Sequence, residues 1–255
     1  MALRGSVSAD DRETPLCALE DVSCLLDAQI TDKNEDLVVY DPYYCKGGIK
    51  IALGALGYRN VHNEDVDCYT AWKASAGSPG AVPKYHVLLT NPPYSADHIR
   101  RVVHYAIKSG KPWAMLLPSN VLQRDWFVSI TEKSKCKMVF VAPFSRYSFV
   151  VPDSNTSTST STSGESTHTP LATIWFIGGV DKGMVKRMQA AFERRGSNTR
   201  ARLATTQSEL PRKILKLLPY ALGRANKKKG ALKGRQSGKR GSKPQIKTIE
   251  KGSRV

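Results

Sequence analysis

The segment Asn91-Pro92-Pro93-Tyr94 directly follows the apolar run Tyr85-His86-Val87-Leu88-Leu89-Thr90. At the end of a strand, such a tetrapeptide is suited to holding a planar amino group. The Asn91 side-chain oxygen accepts one amino hydrogen. Pro93 has no N–H, so the Pro92 carbonyl before it has no ladder partner on that side and is able to accept the second hydrogen. The two prolines fix φ, which sets both acceptors before a substrate arrives. Tyr94 offers a flat face on which a ring can stack. The plainer alternative is a rigid Pro-Pro turn with no chemistry, and the surroundings of the tetrapeptide weigh against it.

Two further groups stand at comparable places. Asp41-Pro42-Tyr43-Tyr44-Cys45-Lys46-Gly47-Gly48 follows the apolar run Leu37 to Tyr40, and Glu64-Asp65-Val66-Asp67 follows the short run Asn60 to Asn63. Glycines in such a turn let the backbone come close to a ligand, and carboxylates after the next strand are placed to accept hydroxyl or amino hydrogens. Read blandly, the first is an ordinary turn and the second a solvated acidic loop.

The elements that would position these groups follow from periodicity. Leu37 to Tyr40 reads as a buried strand, and Ile49, Ala52, Leu53 and Leu56 have helical spacing closed by Gly57. Tyr85 to Thr90 reads as the central strand. Ser95 is the expected cap of a helix whose stripe is Ile99, Val102, Val103, Ala106 and Ile107, with Arg100, Arg101, His104 and Lys108 opposite and Gly110 at its end. Further strands are expected at Trp113 to Leu117, Lys137 to Ala142 and Leu171 to Ile177, and a helix against the core over Leu16 to Leu26. This alternation predicts an α/β fold: a seven-stranded, mostly parallel sheet with helices on both faces. The four tryptophans, Trp72, Trp113, Trp126 and Trp175, read as core or edge packing. In an open parallel sheet ligands bind at the carboxyl ends of the strands, where all three chemical groups fall.

The tetrapeptide resembles the signature of class I S-adenosylmethionine-dependent amino-methyltransferases of the adenine-N6 type. Leu117-Pro118-Ser119-Asn120 resembles the segment after their fifth strand. Arg146-Tyr147-Ser148-Phe149, a variable loop and Leu171 to Phe176 resemble their C-terminal β-hairpin. The resemblance covers about residues 36–180 and implies a Rossmann-like fold with S-adenosyl-L-methionine as cofactor and no metal. It makes Asn91, Pro92, Pro93 and Tyr94 the catalytic group, and Asp41, Pro42, Tyr43, Gly47, Glu64, Asp65 and Asp67 the cofactor-binding group. Glu64 would take the ribose hydroxyls and Asp67 the adenine amino group. The glycine turn departs from the family pattern, because Gly47 and Gly48 are adjacent and Tyr43-Tyr44 occupy the loop. The implied reaction is direct transfer to an exocyclic amino nitrogen, most simply adenine N6. Hydrogen bonds to Asn91 and Pro92 would pyramidalise that nitrogen and free its lone pair, and the base would have to be unstacked to arrive there.

Charge separates the chain into unlike parts. Residues 1–180 carry 17 Lys/Arg against 18 Asp/Glu, residues 181–223 carry 10 against 3, and residues 224–255 carry 12 against 1. All of the +17 excess therefore lies in the C-terminal third, which points to a polyanionic partner, with RNA favoured over DNA. The residues expected to touch it are Lys227, Lys228, Lys229, Lys233, Arg235, Lys239 and Arg240. The domain reading is an extension with a helix over 1–35, the methyltransferase domain over 36–180, a basic helical segment over 181–223 and a disordered basic tail over 224–255. Within the domain, residues 152–169 form a low-complexity Ser/Thr loop.

Several classes are disfavoured. No apolar run approaches the ~18 residues of a membrane span, and Asp10, Asp11 and Glu13 sit where a secretory signal would need an apolar stretch. The five cysteines are scattered, which argues against a disulfide framework or zinc site and for a reducing, intracellular setting, in nucleus, nucleolus or cytoplasm. Two alternatives to the adenine-N6 enzyme stay open. One is a protein-glutamine methyltransferase, which shares the tetrapeptide. The other is a non-catalytic RNA-binding protein that retains the fold.

Overall fold

The computed structural model describes residues 12–29, 37–75, 80–150, 166–168, 172–196 and 199–215. The basic tail from Lys227 to Arg240 and most of the Ser/Thr tract lie outside these residues. All described residues belong to one compact unit, residues 1–218.

The sheet is built from seven strands: β1 (Val38–Tyr40), β2 (Asn60–His62), β3 (Val87–Thr90), β4 (Trp113–Pro118), β5 (Met138–Pro143), β8 (Thr173–Gly178) and β9 (Ala201–Ala204). Their order is β2-β1-β3-β4-β8-β5-β9. Strands β1 to β4 are parallel to one another, β8 is antiparallel to both β4 and β5, and β9 is antiparallel to β5. The result is an α/β protein with a mixed, mostly parallel sheet, compatible with a Rossmann-like fold. A separate two-stranded ladder pairs β6 (Ser148–Val150) with β7 (Ser166–His168). β7 falls inside the stretch read from composition as an unstructured loop.

Side chains alternate across the sheet because successive residues of a strand point to opposite faces. Val87, Leu89, Ala114, Leu116, Val139, Val141, Trp175 and Ile177 join the core under α1 (Leu16–Asp27), α2 (Gly48–Ala55) and α6 (Lys182–Glu193). Leu88, Met115, Leu117, Phe140, Ile174 and Phe176 join the core under α4 (His98–Ser109) and α5 (Asp125–Ser134). The short α3 (Cys68–Ala74) contributes Trp72 to that second face. Both faces being covered explains why β3, β4 and β8 are buried at every position and mostly apolar.

Helix α4 buries Val102, Val103 and Ala106, as its stripe predicts, and ends at Gly110 with φ 68°. It begins later than expected: Asp97, not Ser95, precedes its first turn. The larger difference is at the C-terminal side. The segment 181–223 is not merely an appended basic helix. α6 packs on α1, and β9 supplies the seventh strand of the sheet by pairing Val141 with Leu203 and Ala142 with Arg202. A four-residue strand reading Ala-Arg-Leu-Ala gives no periodic signal of its own, and its place is set by the open edge of β5.

Gly178 ends β8 beside the Trp113 indole, and a Cβ built there would lie 2.3 Å from Trp113 Cζ2. Gly178→Ala is therefore expected to cost about 1–3 kcal/mol of stability by overpacking. An unchanged urea midpoint would show that the indole yields freely.

Candidate active site

From β1 the chain crosses to β2 on one side of the sheet, and β3 then lies on the other side of β1. The carboxyl ends of β1 and β3 thus flank the point where strand order reverses, the place at which open α/β sheets bind ligands. Asp41 follows β1, and Asn91 follows β3.

Asp41 is buried and accepts hydrogen bonds from Thr90 Oγ1 at 2.6 Å and from the Tyr43 backbone N–H at 3.1 Å. One carboxylate therefore ties the end of β3 to the loop after β1. Asn63, fully buried after β2, donates from Nδ2 to the carbonyls of Asp41 at 3.2 Å and Tyr43 at 3.1 Å. It braces the same loop from the third strand end. The Asn63 side-chain oxygen is buried with no hydrogen-bond partner among the described residues. Sequence reasoning did not single out Asn63; its only signal was its place directly before the acidic cluster.

Burial raises the Asp41 carboxyl to about 7, against the opposing effects of the Thr90 hydroxyl and the Tyr43 N–H. An unfolded aspartate titrates near ~3.9. Between these values the folded protein holds a proton that the unfolded chain has released. The stability contributed by this group is complete below about pH 4 and is lost as pH rises towards 7. Asp41→Asn is expected to remove that part of the pH dependence, read as the difference in denaturation midpoint between variant and parent from pH 4 to 7. A pH-independent difference would assign the slope to other groups.

Asn91 is held at both ends of its amide. Nδ2 donates to the Arg12 carbonyl at 3.2 Å, and Oδ1 accepts from the Tyr94 hydroxyl at 2.9 Å. The Tyr94 hydroxyl also lies 3.1 Å from the Leu116 carbonyl, so its single proton is shared between two acceptors. Burial pushes the Tyr94 phenol well above its ordinary range, which keeps it a donor. Tyr94 thus orients the Asn91 amide through its hydroxyl, a function the sequence did not suggest. An amide oxygen has two lone pairs, so one remains for a ligand.

Asp41, Tyr43, Asn91 and Pro93 line one small cleft of about 30 Å³, together with Gly48 and the segment Arg12–Thr14. Gly47, at φ 78°, turns the chain into α2, and a Cβ on Gly48 would meet the Glu13 carboxylate at 2.5 Å. A carboxylate therefore already sits against the first residue of α2. Arg12, Glu13 and Thr14 were missed by sequence reasoning, being distant in the chain and without periodic pattern. Both loops at the cleft also carry a non-glycine residue in the left-handed region, Cys45 at φ 50° and Ala96 at φ 48°. Such strain persists only where surrounding structure enforces it.

The other expected cofactor ligands lie outside the lining of this cleft. Pro42, in the loop after β1, is buried. Glu64 is exposed and pairs with Lys50 at 2.7 Å, which holds its carboxyl below the usual range. Asp65 is exposed. Asp67 caps α3, accepting from the Tyr69 N–H at 3.0 Å and Thr70 Oγ1 at 2.6 Å. The Thr70 bond is the main reason its carboxyl titrates low.

Beyond the cleft wall, the Tyr43 hydroxyl meets that of Tyr69 at 2.9 Å, and Tyr69 in turn contacts His98 Nδ1. The described residues contain no group of three or more His, Cys, Asp or Glu able to hold a metal ion, and no helix long and apolar enough to cross a membrane. No protein-family model matches this chain, and no curated protein matches it significantly.

Proposed function

We propose that the protein is an S-adenosylmethionine-dependent methyltransferase of the class I fold, acting on an exocyclic amino group, with adenine N6 of RNA as the favoured acceptor. The observation that carries this reading is the convergence of Asp41 and Asn91 on one cleft at the β1/β3 switch point, joined through Thr90. The C-terminal hairpin expected from residues 146–149 and 171–176 is not confirmed: Ser148–Val150 pairs with Ser166–His168, whereas β8 pairs with β4 and β5.

Three features of the cleft support a cofactor there. Gly48 allows close backbone approach at the start of α2, the Asp41 loop is braced from two neighbouring strands, and a carboxylate is accommodated beside Gly48. Bound there, S-adenosylmethionine supplies an electrophilic methyl group. The cleft of about 30 Å³ is far smaller than the ~300 Å³ or more typical of ligand pockets. Cofactor binding therefore requires the cleft to widen. Asn91 Oδ1, oriented by Tyr94, and the Pro92 carbonyl accept the two hydrogens of the substrate amino group. The nitrogen lone pair is thereby drawn out of conjugation, and these interactions strengthen as the nitrogen becomes tetrahedral. No side chain has to remove a proton before transfer, since the nitrogen becomes acidic only once it carries the new bond.

The filled cleft also favours a second reading, an RNA-binding protein that keeps the fold without the reaction. Transfer of radiolabelled methyl from S-adenosylmethionine to total RNA, genomic DNA and protein extract, with digestion and identification of the product, separates the readings. Label in N6-methyladenosine of RNA is the expected result. Label in glutamine would replace it with the protein-directed enzyme. Absence of both label and cofactor binding would leave the RNA-binding protein.

A further inference from the structure

A second concavity of about 820 Å³ runs between α3 and α4, on the far side of the Tyr43–Tyr69 contact from the cleft. Its floor is aromatic. Trp72 and Tyr105 stack with centroids 4.2 Å apart and planes 9° from parallel, and Tyr69 meets the Trp72 ring edge-on at 5.3 Å. Its rim is basic. Lys73, Arg100, His104 and Lys108 are exposed, and Arg101 lies over the Tyr69 ring at 3.3 Å. The one acid in the lining, Asp97, is 3.9 Å from Arg101. Lys73, Arg100 and Lys108 have no ion-pair partner among the described residues.

We propose that this groove binds single-stranded RNA, with bases against the aromatic floor and phosphates on the basic rim. Aromatic platforms flanked by cations are how proteins hold single strands without reading sequence. An acidic peptide would use the rim but leave the aromatic residues of the lining without a partner. The charge balance of the rim suits a polyanion, although residues 1–180 as a whole are close to neutral. The placement adds direction. Helix α4 starts four residues after Tyr94, so the basic wall continues from the catalytic loop. Tyr43 lines the cleft while its hydroxyl touches Tyr69 of the groove. A strand lying in the groove is thereby led towards the cleft, a consequence that rests on the methyltransferase reading, whereas RNA binding itself does not.

The test uses the full chain and a fluorescein-labelled single-stranded RNA 12-mer, with the same sequence as a duplex and a poly-glutamate peptide as comparisons. Lys73, Arg100 and Lys108 are exposed, so the triple variant K73E/R100E/K108E leaves the core untouched. Its binding of the single strand is expected to weaken about tenfold or more, and the slope of log affinity against log salt to fall by about 2, near 0.7 for each phosphate that is no longer neutralised. Ultraviolet crosslinks on the parent chain are expected at Tyr69 or Trp72. An unchanged slope, with crosslinks confined to residues 224–255, would overturn the groove and give RNA binding to the tail alone. Poly-glutamate binding as tightly, and weakened equally by the triple variant, would make the groove a site for acidic protein and overturn the proposal. If the parent binds no S-adenosylmethionine, the enzyme reading fails while the crosslinks still decide the groove.

Discussion

Replacing Asn91 by alanine is expected to lower methyl transfer at least about 100-fold, the usual scale for removing one group that stabilises a transition state in place. The variant should remain folded. Asn91 gives up one bond to the Arg12 carbonyl and one from Tyr94, but the Tyr94 hydroxyl keeps the Leu116 carbonyl as acceptor. Removing two side-chain bonds at a half-buried position amounts to about 1–2 kcal/mol. Cofactor affinity should change little, because the reading gives Asn91 to the acceptor amino group. Tyr94→Phe supplies the contrast. It keeps the ring and leaves Asn91 Oδ1 intact but no longer held by a hydroxyl, so the expected loss is nearer tenfold. Equal losses in the two variants would mean that the tyrosine hydroxyl meets the substrate itself. Turnover unchanged by Asn91→Ala would dispose of the proposed mechanism.

Trp175→Ala is expected to destabilise the protein by about 3–5 kcal/mol. Trp175 is fully buried in β8, the strand that lies between β4 and β5. Its indole Nε1 donates to the Ala18 carbonyl at 2.9 Å, so the same side chain fills the core and ties α1 to the sheet. Truncation opens a cavity where α1 and α6 cannot both follow the missing volume. Trp175→Phe keeps most of the volume and removes the N–H donor, for an expected cost of about 1–2 kcal/mol. Urea denaturation of the three proteins checks both figures. A Trp175→Phe loss as large as that of Trp175→Ala would show that the hydrogen bond to α1, not packing, dominates. The same α1 leads back through Pro15 to the Arg12–Thr14 wall of the cleft, so loss of this anchor should also loosen the site.

Much of this arrangement was legible in the sequence because it is local. Apolar runs closed by Asp-Pro and Asn-Pro-Pro mark strands and their carboxyl ends. The stripe of α4 and its Gly110 stop follow from helical period and left-handed φ. Trp113 and Trp175 were expected as core and are fully buried. The acidic cluster reads less well. Glu64, Asp65 and Asp67 have the chemistry of cofactor ligands, but Lys50 takes up Glu64, and the Tyr69 N–H and Thr70 hydroxyl of α3 take up Asp67. A carboxylate's type does not say which neighbour it satisfies; that depends on which chain segments fold beside it.

By itself, then, the sequence determined the alternation of strands and helices, the strand ends that bear Asp41 and Asn91, and the concentration of positive charge in the last third. These follow from periodicity, turn chemistry and composition, which act over a few residues. Only the tertiary structure decided that β8 enters between β4 and β5, that β9 completes the sheet edge, and that Arg12–Thr14 closes the cleft. It also decided that Tyr94 points its hydroxyl at Asn91, and that α3 and α4 place Trp72 and Tyr105 face to face beside a basic rim. Apart from the Tyr94–Asn91 bond, each of these joins residues far apart in the chain, where the partner is selected by strand-edge hydrogen bonding and close packing rather than by any pattern a local stretch can carry.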